Sequence, residues 1–198
     1  AWQSWHIYQK CGDEAFLREA LESGAYNDDW WWLRSNRRDM ERCGGMFYWN
    51  ELWETVRDDA DLPTWTATGG PENQCAVDLN AYLVANDRAL ASMAQELGDP
   101  REEIFQARAL HITSLMKELM WDDEDHFFYG ISRLGGRVEV KDIGGLLTLY
   151  ANVPTASQAA AMVRDHLEPD GGFHTNFGLP SLSRFEHGYG SANRWKGG

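Results

Sequence analysis

Two long apolar-periodic stretches lie back to back near the middle of this sequence. From Val77 to Leu97 the apolar residues fall at helical spacing (Val77, Leu79, Leu83, Val84, Leu90, Met93, Ala94, Leu97). From Arg101 to Trp121 they do so again, through Ile104, Phe105, Leu110, Ile112, Leu115, Met116 and Leu119. Between them stands Gly98-Asp99-Pro100. Glycine suits the left-handed position just after a helix, and Asp followed by Pro suits the cap and first turn of the next. Two amphipathic helices on so short a turn must fold back on one another as an αα-hairpin.

The same grammar runs along the rest of the chain. The opening residues place Trp2, Trp5 and Tyr8 at helical spacing, with Gly12 as terminator and Asp13 as the next cap. Phe16, Leu17, Ala20 and Leu21 mark a segment from Glu14 to Glu22 that Ser23-Gly24 is expected to stop. Asn27 or Asp28 then caps a helix through Trp30 to about Arg38. Residues 42–74 lack long periodicity and read as loop with at most a short helix, a length usually reserved for function. His126 to Ser132, Gly135-Gly136 and Arg137 to Val140 read as a β-hairpin. Short helices follow at Gly144–Tyr150 and Ala156–Leu167, and the remainder is loop. Successive helical hairpins with one small β-hairpin imply an all-α fold, an α/α toroid in which inner and outer helices alternate. A solenoid is the rival, but the segments share no period.

Composition narrows the function classes. The 198 residues hold 18 Lys+Arg against 31 Asp+Glu, a formal charge of −13, with 43% hydrophobic residues. So much apolar content excludes an acidic disordered tail. So little base excludes nucleic-acid binding through a basic surface. No apolar run approaches the roughly 20 residues that span a bilayer, so no membrane partner is expected. The three cysteines, Cys11, Cys43 and Cys75, cannot all pair with one another. They are read as free thiols in a reducing, cytoplasmic setting, with Cys75 structural.

Nothing in the sequence calls for a cofactor or metal. His166, His174 and His187 lack ligand spacing. Asp122-Asp123-Glu124-Asp125 lacks the alternating ligands and glycine of a calcium loop and reads as a solvated turn. The chain opens without Met and in mid-helix, and Arg194-Trp195-Lys196-Gly197-Gly198 closes no element. Residues 1–198 are therefore expected to be one domain, truncated at both ends.

Ten tryptophans are the unusual count. Indole faces suit the C–H surfaces of sugars as well as a core. The densest polar cluster, Trp49 to Ala60, sets Glu51, Glu54, Asp58 and Asp59 among Trp49, Trp53 and Arg57. Adjacent acids resist ionising together, and burial against indole raises a carboxyl pKa. Such a carboxyl can act as general acid in glycosidic-bond cleavage.

Trp53-Glu54-Thr55-Val56-Arg57-Asp58-Asp59 resembles the W-E-[ST]-G-x-D-[ND] segment of glycoside hydrolase family 63. That family holds processing α-glucosidases and bacterial hydrolases of glucosylglycerate and mannosylglycerate. Other segments agree. Asn27 to Leu33 is similar to its Y-x-x-W-W-L helix, and Val77-Asp78-Leu79-Asn80-Ala81-Tyr82-Leu83 to its V-D-L-N-A-Y-L helix. Leu119-Met120-Trp121-Asp122 with Phe127-Phe128-Tyr129 resembles its L-W-D…F-Y-Y strand entry. Phe177-Gly178-Leu179-Pro180-Ser181-Leu182-Ser183 resembles F-G-[LV]-P-S-L-S, and Tyr189-Gly190 with Arg194-Trp195-Lys196-Gly197 resembles Y-G…Y-W-R-G.

The resemblance implies an (α/α)6 barrel and inverting hydrolysis of an α-glucosidic or α-mannosidic bond. It implies Asp58 as the general acid, and Trp53, Glu54, Arg57, Asp59, Trp195 and Lys196 as sugar-binding residues. The water-activating Glu of the family follows Y-W-R-G, beyond the last residue of this chain. The family Gly is Val56 here, its Arg is Lys196, and the aromatic before its Trp is Arg194. A trehalase-like hydrolase of the same fold, or a sugar-binding relative without catalysis, are the alternative readings.

Overall fold

The computed structural model describes residues 1–34, 43–55, 63–176 and 178–190. Among them are seven α-helices: α1 (Trp2–Cys11), α2 (Glu14–Asp29), α3 (Pro63–Thr68), α4 (Val77–Leu97), α5 (Glu102–Leu115), α6 (Ile143–Tyr150) and α7 (Ala156–Met162). Three of them continue into a π-helical turn: α2 into Trp30–Arg34, α5 into Met116–Met120, and α7 into Val163–Leu167. The long helix α4 has the bounds its sequence pattern predicts, and Gly98 ends it at φ 67°. Asp13 caps α2 by accepting from the N–H groups of Ala15 and Phe16. Thr155 and Gln158 cap α7 reciprocally.

Helix α4 is buried on nearly every side, whereas α5 buries only Phe105, Ala109, Ile112 and Thr113. That difference separates an inner helix from an outer one. Helix α6 lies beside α4 as a second inner helix, and α2 and α5 cover α4 from outside. Tight turns join α1 to α2, α4 to α5 and α6 to α7. Two long connections lead into the N-terminal ends of α4 and α6 and carry the β-strands, and a third follows α7. Strands β1 (Gln74–Cys75), β4 (Gly130–Ser132) and β5 (Arg137–Val138) form an antiparallel sheet in the order β1-β4-β5, with Gln74 opposite Ser132 and Gly130 opposite Val138. Strands β2 (Trp121–Asp122) and β3 (Phe127–Phe128) form a separate pair. The alternation of tight and long connections gives an α/α barrel segment with one loop-rich end.

Several sequence expectations need correction. The Ser23-Gly24 pair does not stop a helix; α2 runs through it to Asp29. A Cβ at Gly24 would sit 2.8 Å from Leu90 Cδ2, so the glycine lets α2 approach α4 closely rather than ending it. Asp28 is thus not a cap but a fully buried interior residue. Residues 42–74 hold the short helix α3, as expected, but also supply strand β1. Finally, Cys43 and Cys75 are joined in a disulfide with Cα atoms 5.5 Å apart, and only Cys11 is free and exposed. The connection from α2 returns against β1 and brings the two thiols together, which removes the argument for a reducing compartment. The Asp122–Asp125 turn is less solvated than its composition suggests. Asp122 accepts from the N–H groups of Glu124 and Asp125, and Asp125 binds Lys141 Nζ at 2.6 Å and Tyr129 Oη at 2.7 Å.

A buried acid pair lies between α2, α4 and α5. Asp28 and Asp87 are both 0% exposed. Arg108 of α5 donates to Asp28 and, at 3.0 Å, to Asp29, while its guanidinium lies over the Trp32 ring. Asn86 adds a bond to Asp28 at 3.2 Å, and the amino group of Ala1 donates to Asn86. Asp87 faces Asp28 and the Trp32 indole without a hydrogen bond of ordinary geometry to either. Burial first, then the neighbouring Asp28, pushes the Asp87 carboxyl up to about 10, and burial also raises Asp28. A raised folded-state value means that the folded protein holds a proton the unfolded chain releases near pH 4. This contribution is full below that pH and is lost as pH rises toward 10, by up to about 1.4 kcal/mol per pH unit. Thermal melts should therefore fall from pH 5 to pH 9, and Asp87→Asn should flatten that slope. A slope unchanged by Asp87→Asn would contradict the assignment.

Candidate active site

At the loop-rich end the chain preceding segment 56–62 is fastened to the start of α4 at three successive points. The Cys43–Cys75 disulfide is the first. The second is Asn80, fully buried, whose amide pairs with the backbone of Phe47. Its Oδ1 accepts from Phe47 N–H at 3.0 Å, and its Nδ2 donates to Phe47 O at 2.8 Å and to Ala76 O at 2.7 Å. Leaving either Phe47 group unpaired in this core would cost about 1–3 kcal/mol. At the third, Trp49 Nε1 donates to Asp78 Oδ1 at 3.1 Å, and the same oxygen accepts from Leu79 N–H at 2.7 Å. The V-D-L-N sequence thus places Asp78 and Asn80 on one edge of the first turn of α4, where both grip residues 47–49.

These fastenings fix one wall of a cavity of about 20 Å³, room for about one hydroxyl- or water-sized group. Trp49, Thr64, Trp65 and Gln74 line it from the first long connection, Val77 and Asp78 from α4, and Phe128, Gly130, Val140 and Asp142 from the second. Asp142 also caps α6 by accepting from Gly144 N–H at 2.7 Å. The third connection is tied to the same end, since Ile143 N–H donates to Ser181 O and Ser183 N–H to Lys141 O, each at 2.9 Å. Behind the cavity, Trp31 meets Trp49 and Phe47 edge-on, and Trp32 meets Phe47. Around this cavity, then, Trp49 and Trp65 form wall, while Trp31 and Trp32 pack behind it.

Of the residues expected at the site, Glu54 is described in full. It is half-buried in a 3₁₀ turn (Leu52–Thr55), and its Oε2 accepts from Asn50 N–H at 2.8 Å. Trp53 belongs to the same turn, but its side chain lies outside the described residues. So do Val56, Arg57, Asp58, Asp59, Arg194, Trp195, Lys196 and Phe177. The residues flanking 56–62 are described on both sides, and Trp49 on one side and Thr64 and Trp65 on the other line the same cavity. Sequence reasoning missed Thr64, Trp65, Gln74 and Asp142, because tertiary folding brings them together. The cap signal of an Asp before Ile143-Gly144 could have found Asp142. His166 is buried against Phe127, with Nε2 2.8 Å from Asp125 O, and desolvation lowers its pKa. Among the described residues no three His, Cys, Asp or Glu side chains converge on a point that could hold a metal ion, and no helix is long and apolar enough to cross a membrane.

Three comparisons bear on this architecture. A mannosylglycerate hydrolase of Rubrobacter radiotolerans is 28% identical over 121 residues, which are 60% of this chain and 27% of that protein. The crystal structure of a GH63 mannosylglycerate hydrolase from Thermus thermophilus in complex with glucose superposes with a TM-score of 0.79. It is 18% identical, and the match covers 98% of this chain and 56% of that one. The neutral trehalase Nth1 of Saccharomyces cerevisiae superposes less completely, with a TM-score of 0.53 over 63% of this chain and 24% of its own, at 20% identity. The chain thus spans about a quarter of that curated relative and just over half of the solved hydrolase. The model of the mannosylglycerate hydrolase MGH1-like glycoside hydrolase domain matches residues 1–198, and the chain belongs to that family.

Proposed function

We propose that the protein is a glycoside hydrolase that cleaves an α-glucosidic or α-mannosidic bond with inversion, and that Asp58 is its general acid. One observation carries this reading furthest. The chain on both sides of segment 56–62 lines one tryptophan-walled cavity, where the long connections meet the N-terminal ends of α4 and α6. An acid within that segment would stand beside indole faces and next to a second carboxyl, Asp59. Both surroundings favour its protonated form. Arg57 would hold Asp59 ionised. The acid would protonate the leaving oxygen, and a second carboxylate about 6.5–9.5 Å away would activate water on the opposite face of the sugar. Trp53, Glu54, Arg57, Asp59, Trp195 and Lys196 are assigned to the sugar. The family likeness puts the water-activating Glu after Lys196, so residues 1–198 alone should bind an α-glycoside without turning it over.

Two replacements favour a second reading, a sugar-binding protein without catalysis. Val56 cannot easily take the positive φ open to the family Gly, and Lys196 lacks the bidentate geometry of Arg. Assaying the complete gene product against mannosylglycerate, glucosylglycerate and trehalose separates these readings. Turnover of one of the two glycerate glycosides, with trehalose untouched, is expected. Turnover of trehalose alone supports the trehalase-like alternative, and binding without turnover of any of the three supports the second reading.

A further inference from the structure

We propose that Thr64 and Gln74 form a recognition site for a single hydroxyl group of a neutral sugar. The proposal rests on the glycoside hydrolase reading of the same cavity and adds which kind of group enters it. Thr64 stands in the first turn of α3 and is 6% exposed. Its Oγ1 is buried and has no hydrogen-bond partner among the described residues. Thr68, one turn later on the same helix, shows the ordinary solution: its hydroxyl has Thr64 O and Gly70 O, each at 3.0 Å, as acceptors for its one proton. A buried hydroxyl without a partner is unfavourable, and valine would fill the same space without that cost. Packing alone therefore gives no reason for threonine at position 64.

Gln74 reaches the cavity from the other side. Its backbone lies in β1 opposite Ser132, and its side chain, in a residue 5% exposed, lines the same cavity. No hydrogen bond joins that amide to a described residue. A Cβ at Gly130 would stand 3.0 Å from Gln74 Oε1, so the glycine leaves the amide its room. One hydroxyl and one carboxamide together offer donors and acceptors but no charge. Trp49, held by Asp78, and Trp65 are buried apolar walls on either side of the polar pair. Among the described residues, the only charged groups lining the cavity are the carboxylates of Asp78 and Asp142, and these disfavour an anion. The chemistry selects a neutral polyhydroxyl group, and the volume admits one hydroxyl. A glycoside of glycerate would then place one hydroxyl of its sugar here, and its acidic aglycone elsewhere.

The test pairs stability with binding in Thr64→Val and Gln74→Met. Titration of the protein with methyl α-D-mannoside, methyl α-D-glucoside and D-glycerate, read by tryptophan fluorescence and calorimetry, gives the affinities. Each variant should hold or raise Tm while weakening the methyl glycoside that the wild type binds by about tenfold, the worth of one neutral hydrogen bond. Glycerate affinity should not change. A Tm lowered by several degrees in Thr64→Val would mean that the hydroxyl has a structural partner, and would overturn the proposal. So would glycoside affinities unchanged in both variants; if hydrolysis of an α-glycoside were retained there, the hydrolase reading would stand without this site. A wild-type protein that neither binds nor cleaves any glycoside would remove both.

Discussion

Reduction of the Cys43–Cys75 disulfide should lower the stability of the fold by about 3–4 kcal/mol, the loop-closure value for a separation of 32 residues. For a chain of this length that is a fall in Tm of roughly 10 °C. The cross-link closes the connection that contains Trp49, segment 56–62, α3 and β1, so its loss frees the unfolded chain most in the region that forms the cavity. Both cysteines are buried, Cys75 to 1% exposure, and the Asn80 and Asp78 fastenings stand beside them. Reduction should accordingly be slow in the native state and fast in denaturant. Thiol counting on protein purified without reductant should give one reactive group in denaturant, Cys11, and three after reduction. Three before reduction would show that no cross-link forms. Cys43→Ser with Cys75→Ser should match the reduced protein in Tm, and an unchanged Tm would show that the cross-link contributes nothing.

The parts of this fold that were legible in the sequence are those set by local signals. Helix α4 has an apolar pattern that continues for its whole length and a glycine that can only end it. Asp13 caps α2, and Gly135-Gly136 turns the chain between β4 and β5, as their residue types require. What sequence could not show depends on distant partners. Gly24 carries the local signature of a stop, but its role is set by Leu90, 66 positions away. The pairing of Cys43 with Cys75 exists only because the connection folds back onto β1. Asp28 reads as a helix cap, and nothing local marks it and Asp87 as a buried pair. At the site, the V-D-L-N sequence was legible as a motif, but its physical work was not: Asp78 and Asn80 hold the backbone and indole of residues 47–49. Thr64, Trp65 and Gln74 sit in a stretch with no periodicity, so their convergence is a property of the fold.

Replacement of Asp58 by Asn should abolish hydrolysis while leaving sugar binding nearly intact. Asparagine has the shape of the acid but no proton to deliver, so the loss should appear in kcat, by about 10²–10⁴-fold, with little change in KM. The size of the loss should depend on the leaving group. An alcohol such as glycerate needs protonation as the bond breaks. A dinitrophenolate departs without help, so the variant should retain far more activity on a dinitrophenyl α-glycoside. The basic limb of the wild-type pH profile reports ionisation of the acid and should vanish in the variant. A variant that loses affinity and activity together, equally for both leaving groups, would make Asp58 a structural or binding residue. Asp59→Asn is the companion control. It should keep the basic limb, because its role is confined to the sugar and to the field around Asp58.

The identity of the first sugar product tests the account most directly. The complete gene product that carries these residues is given an α-glycoside, and the anomeric proton is followed by NMR before mutarotation scrambles it. Inverting general acid catalysis predicts the β-anomer first, with the signal absent in Asp58→Asn. The α-anomer appearing first, or the β-anomer persisting at the wild-type rate in that variant, would contradict it.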